Sequence, residues 1–112
     1  MKIAIRADGK HNDKLLKLLN SCSDIEVICI TDIDGNKWTD KRVNGIPVIS
    51  TVKAYDQYKA GKIDKFFISP YLSAIKVNKC YKGMKSEGIA EEDICIPSVT
   101  RINEKTNLVQ EE

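Results

Sequence analysis

A chain of 112 residues is long enough for one domain with a real hydrophobic core, and too short for two. Eighteen Lys and Arg against 16 Asp and Glu leave a net charge of +2 with both signs interspersed, too weak an excess for a nucleic-acid footprint. No apolar run approaches the ~18–20 residues of a membrane span, and no signal peptide precedes the first apolar run, so a cytoplasmic protein is expected.

The first element, "KIAIR" (residues 2–6), is a short apolar run and reads as a strand. After a turn, residues 12–22 repeat apolar side chains at helical spacing, with Leu15, Leu18, Leu19 and Cys22 on one face. "IEVICIT" (Ile25 to Thr31) is almost unbroken in its apolar character, which suits a parallel strand buried on both faces. A polar loop, "DIDGNKWTDKRVNG", follows with many turn residues. "IPVIS" is a third strand, and its proline suits a sheet edge. Ser50 or Thr51 can cap a helix that ends at Gly61.

"DKFFIS" is a fourth strand. Ser69-Pro70 then pairs a good N-cap residue with proline at the first helical position. The helix so predicted runs to about Glu87, with Ala74, Val77, Tyr81 and Met84 inward, and Gly88 stops it. "DICIP" is a fifth strand. Residues 1–98 form the predicted domain, and residues 99–112 read as a polar extension or a linker to a further domain. Ile5, Ile28, Phe67 and Ile96 are expected in the core.

Strand–helix alternation predicts an α/β, Rossmann-like three-layer αβα fold with a mostly parallel five-stranded sheet of order 3-2-1-4-5. Ligands of such sheets bind where the strand order reverses, at the carboxyl ends of the first and fourth strands. That rim comprises Arg6 to Asn12 and Ser69 to Tyr71, with Asp32 and Ser98 near it. The candidate ligand-binding residues are therefore Gly9, Lys10, His11, Asn12, Asp32, Ser69 and Tyr71.

A dinucleotide-binding fold would place Gly-x-Gly-x-x-Gly at the first turn. Here stands Ala7-Asp8-Gly9-Lys10-His11-Asn12, and only the middle glycine remains. Asn12 caps helices well but fills space that the third glycine leaves open. Asp8 sets a carboxylate where a pyrophosphate would sit, a repulsion of roughly 4 kcal/mol per charge pair at ~4 Å and an effective dielectric of ~20. Arg6, Lys10, His11 and Lys14 offset part of it. The turn is thus either a bare strand-to-helix connection or a nucleotide-binding turn, since the helix N-terminus still offers unpaired N–H groups to an anion.

Asp32 follows the second strand at roughly the twenty-residue spacing of the acid that holds a ribose hydroxyl. It serves equally well as a turn former in "TDIDGN". Trp38 can pin its loop or face a ligand, and Tyr71 can pack or stack on one. Tyr55 and Tyr58 belong to the second helix, facing the sheet.

No Ser/His/Asp group, metal-spaced cluster or Walker turn appears, so no catalytic and no metal-binding residue is assigned. Cys22, Cys29, Cys80 and Cys95 form no C-x-x-C pair and read as reduced thiols. A receiver domain would need a phosphorylatable aspartate ending the third strand, and "IPVIS" has none.

The succession "KIAIRADGKHNDKLLKLL", "VICITDIDGNKW", "VNGIPVIS", "IDKFFISP" and "GIAEEDICIPS" resembles the small N-terminal Rossmann-like domain of bacterial cell-surface polysaccharide biosynthesis proteins. The same module looks similar to the region preceding capsule-type sugar dehydratases, some sugar acyltransferases and SAM-dependent sugar methyltransferases. The resemblance covers roughly residues 1–98, and its most specific piece runs from Asp32 to Ile49. Of the family's glycine turn only Gly9 matches. Asp32 matches the acidic position, whereas Ala7 and Asn12 depart from the pattern.

The resemblance implies a non-catalytic module that positions or regulates an attached or separate biosynthetic enzyme. It implies nucleotide or nucleotide-sugar binding that is weak at most, no firmly held cofactor, and room for a homodimer. The alternative is an NAD(P)-dependent oxidoreductase or dehydratase domain acting on a nucleotide-linked sugar.

Overall fold

The computed structural model describes residues 1–7, 15–17, 19, 22, 24–32, 42–43 and 45–96. Six strands appear among them: β1 (Lys2–Ala7), β2 (Glu26–Asp32), β3 (Arg42–Val43), β4 (Ile46–Ile49), β5 (Lys65–Ile68) and β6 (Ile94–Cys95). Helices run over Thr51–Lys59 and Ala74–Ser86, with a 3-10 turn at Glu91–Asp93. Residues 15–17 and 19 are helical, inside the first predicted helix.

The sheet order is β3-β4-β2-β1-β5-β6. Every neighbouring pair is parallel except β3 with β4. Since β4, β5 and β6 are the third, fourth and fifth predicted strands, the order 3-2-1-4-5 stands, with one short antiparallel strand added.

β1 is central, paired with β2 along one edge and β5 along the other. Side chains alternate across a strand. Ile3, Ile5 and Ala7 pack with Leu15, Leu16 and Leu19, and Ile30 of β2 and Val48 of β4 join them. Ala4 packs on the opposite face with Cys29, Ala54, Phe66, Ile68 and Met84. One leucine-rich helix thus serves one face, and the two later helices serve the other.

The added strand corrects the expected edge. Pro47 lies opposite Arg42, and Val43 lies opposite Ile46. β4 is therefore covered by β3, which takes the edge. In sequence the two residues between are Asn44-Gly45, and Gly45 has φ +81°, the left-handed conformation two-residue hairpin turns require.

The second helix starts where expected: Ser50 Oγ accepts the Lys53 N–H at 3.2 Å. It ends with Gly61 at φ +79°. The third helix starts later than the Ser69-Pro70 signal predicts. Its N-cap is Ser73, whose Oγ accepts the Lys76 N–H at 3.3 Å. Ser69 instead closes a tight turn: its Oγ accepts the Tyr71 N–H at 3.2 Å and its carbonyl accepts the Leu72 N–H at 3.3 Å.

Beginning at Ser73 leaves Ala74 exposed, not inward, while Met84 is fully buried and Val77 and Tyr81 partly so. Gly88 stops this helix as predicted, at φ +90°. Gly88 N–H reaches Lys85 O and Ile89 N–H reaches Met84 O, both at 3.1 Å, which is the Schellman pattern of bonds.

Ile5 and Phe67 are core residues and Ile28 is half-buried, but Ile96 is 48% exposed. β6 ends at Cys95, so Ile96 lies past the last paired position. Ile96→Ala should therefore shift stability by less than about 0.5 kcal/mol in chemical denaturation. A loss above 2 kcal/mol would mean that this side chain is covered in solution.

Ser98 and the predicted extension 99–112 lie outside the described residues. Among the described residues no helix is long and apolar enough to cross a membrane.

Candidate functional site

The carboxyl ends of three adjacent strands define the rim. Ala7 of β1 pairs with Asp32 of β2. Arg6 lies between Thr31 of β2 and Ile68 of β5. The next residue along, Ser69, donates its N–H to the Arg6 carbonyl at 2.9 Å. Asp32 and Ser69, far apart in sequence, thus flank the end of β1 in the structure. Thr31 is buried and its Oγ1 lies 3.4 Å from the Ile5 carbonyl, a side-chain link from β2 to β1.

Of the predicted site residues, Ser69 is 3% exposed and its Oγ is engaged by the turn just described. Tyr71 is partly buried and packs against the cluster of Ile5, Leu15 and Phe67. Gly9, Lys10, His11 and Asn12 lie outside the described residues, as do Asp8, Lys14, Asp34 and Trp38. Among the described residues no three His, Cys, Asp or Glu side chains gather as a metal site would need. Cys29, Cys80 and Cys95 are free thiols, and burial pushes that of Cys29 up to about 12.

A second feature lies on the face that carries two helices. Arg6 alternates with Ile5 and Ala7, so it shares the Ala4 face. There it lines a groove of about 340 Å³ with Tyr55, Lys76, Lys79, Cys80 and Gly83. Tyr55 comes from the Thr51–Lys59 helix and the other four from the Ala74–Ser86 helix. Positions 76, 79, 80 and 83 follow the i, i+3, i+4, i+7 rule and form one stripe. A Cβ built on Gly83 would meet nothing within 4 Å, so this position keeps the groove open.

The electrostatics of the groove are one-sided. Among the described residues, three of the six that line it are cationic and none is acidic. Arg6 Nη1 is buried and has no hydrogen-bond partner among the described residues. A buried donor left unsatisfied costs about 1–3 kcal/mol, and more when the group is charged. Burial raises the Tyr55 phenol above its ordinary value, the Arg6 cation pulls it down and the Glu87 carboxylate adds to the rise.

In the sequence Arg6 stands at the rim as a charge offsetting Asp8, and Lys76, Lys79 and Cys80 carry no signal beyond helical spacing. That this stripe borders Tyr55 instead of open solvent is set by helix packing. A second groove, of about 440 Å³, has apolar walls of Leu72, Val77, Tyr81 and Ile96 and, among the described residues, no charged one.

No family model matches this sequence, and no curated protein matches it. A solved structure does. The UDP-D-quinovosamine 4-dehydrogenase of Vibrio fischeri superposes with a TM-score of 0.69, over 93% of this chain and 84% of that one, at 18% sequence identity. The likeness shows a shared fold, and the Rossmann-like architecture expected from the sequence is the one found.

Proposed function

We propose that this chain is a cytoplasmic, non-catalytic Rossmann-like module of nucleotide-sugar metabolism in cell-surface polysaccharide biosynthesis. It positions or regulates an attached or partner enzyme and binds nucleotides or nucleotide sugars weakly. The observation that carries this reading is the rim, where Ala7, Asp32 and Ser69 meet at the ends of β1, β2 and β5. That is the point at which sheets of this order bind ligands. The fold shared with a dehydrogenase of a UDP-sugar supports the ligand class. The incomplete glycine turn, with Asp8 and Asn12 in it, supports weak binding without catalysis.

The same structural likeness favours a second reading, a domain that oxidises a nucleotide-linked sugar with NAD(P). Calorimetric titration separates the two. NAD and NADH are expected to bind no more tightly than about 1 mM, or ~4 kcal/mol of binding free energy. Combining Ala7→Gly, Asp8→Ala and Asn12→Gly should tighten NAD binding by removing the carboxylate and the crowding. Micromolar NAD binding by the unaltered chain would replace the first reading with the second.

A further inference from the structure

The groove between the two later helices shares Arg6 with the rim but opens on the helix-pair face of the sheet. We propose that it is a phosphate-binding site, with the Arg6 guanidinium at its base and Lys76 and Lys79 on its wall. Three observations carry this. Among the described residues Arg6 Nη1 is buried without a partner, so a donor waits for an acceptor. Two further cations line the same groove, and none of its described lining residues is acidic. Glu87, the acid close enough to act on Tyr55, is exposed and is not part of the lining.

The volume of about 340 Å³ falls at the low end of small-molecule sites, roughly 300–1,000 Å³. A guanidinium binds phosphate oxygens through paired N–H donors, and lysines add charge from flexible stems. The Tyr55 hydroxyl supplies a neutral donor at the same place. Phosphate suits this set better than a carboxylate does, because its several oxygens can engage all three cations at once.

The phosphate could be the free ion or part of a phosphorylated metabolite, and the experiment separates these sources. The ¹⁵N-labelled chain is titrated at low ionic strength with inorganic phosphate, glucose 1-phosphate and UDP, each followed in amide spectra. Saturable shifts are expected at Tyr55, Lys76, Lys79, Cys80 and Gly83, and the tightest of the three ligands identifies the source. Affinity should fall with added salt.

Lys76 and Lys79 are exposed, so Lys76→Gln combined with Lys79→Gln leaves the fold intact and should weaken binding at least tenfold. Arg6→Gln should weaken it further. Gly83→Leu should block the groove without changing its charge. Three results would overturn the proposal: no saturable shift with any of the three ligands, unchanged affinity in the double lysine variant, or shifts centred on Ala7, Asp32 and Ser69. The last would move the ligand to the rim and leave the reading of the rim standing.

Discussion

Phe66→Ala is expected to destabilise the protein by about 3–5 kcal/mol. Phe66 is 1% exposed and sits in β5, opposite Ala4 of β1 and Ile94 of β6. Two rings close on it. Tyr55 meets it edge-on with centroids 5.7 Å apart at 64°, and Tyr58 is tilted at 50° at the same distance. Aromatic pairs of this kind contribute about 0.5–1.5 kcal/mol each beyond the area they bury.

Truncation would leave a cavity between the sheet and the Thr51–Lys59 helix. Ala54 of that helix is fully buried, so its backbone is already close to the sheet and has little room to collapse inward. Single domains have about 5–15 kcal/mol of stability in all, so the variant would be near its unfolding threshold. Urea denaturation should show a lower midpoint with an unchanged slope. A loss below about 1 kcal/mol would mean that the aromatic cluster is not the centre of this core layer.

The fold was legible in the sequence because its signals were local. Apolar runs without alternation marked β1, β2 and β5, and Gly61 and Gly88 marked two helix ends by the left-handed conformation only glycine takes freely. Two errors also have local causes. Ser69-Pro70 and Ser73 are competing start signals four residues apart. The first closes a turn: Ser69, just past β5, gives its N–H to the Arg6 carbonyl of β1 while its Oγ accepts the Tyr71 N–H, and the helix starts at Ser73. The strand β3 was hidden in a polar loop, although Val43-Asn44-Gly45-Ile46 carries the two-residue hairpin signature.

The site was less legible, because it is assembled from separate elements. That Asp32 lies beside Ala7 followed from the strand order, and the register confirms it. That Arg6 meets Tyr55, Lys76 and Lys79 follows from how two helices pack on one face, which hydrophobic periodicity does not encode. Lysines on an amphipathic helix read as solvated, and only a neighbouring helix turns such a stripe into the wall of a groove.

Tyr58→Phe should cost about 1.5–3 kcal/mol, the range for a hydrogen bond to a charged group. The Tyr58 hydroxyl donates to Asp93 Oδ2 at 2.6 Å and accepts the Ala90 N–H at 3.3 Å. Those partners flank the 3-10 turn Glu91–Asp93, which leads directly into β6. One hydroxyl therefore fastens the Thr51–Lys59 helix to the segment that delivers the edge strand. Replacing tyrosine by phenylalanine keeps the ring against Phe66 but leaves Ala90 N–H and the carboxylate without this partner.

The effect also has a pH signature. The bond to Asp93 is the largest cause raising the Tyr58 phenol above its ordinary 10.0, followed by burial. A group raised in the folded state contributes stability that is complete below its unfolded value and lost as pH rises through the folded one. Above that point a phenolate would face the Asp93 carboxylate. The stability difference between the native chain and Tyr58→Phe should thus be constant from pH 7 to about pH 9 and shrink as the phenol ionises. Tyr55 is present in both proteins, so its own titration cancels in the comparison. A difference that stayed constant through pH 11 would show that the hydroxyl of Tyr58 is not bound to Asp93 in solution.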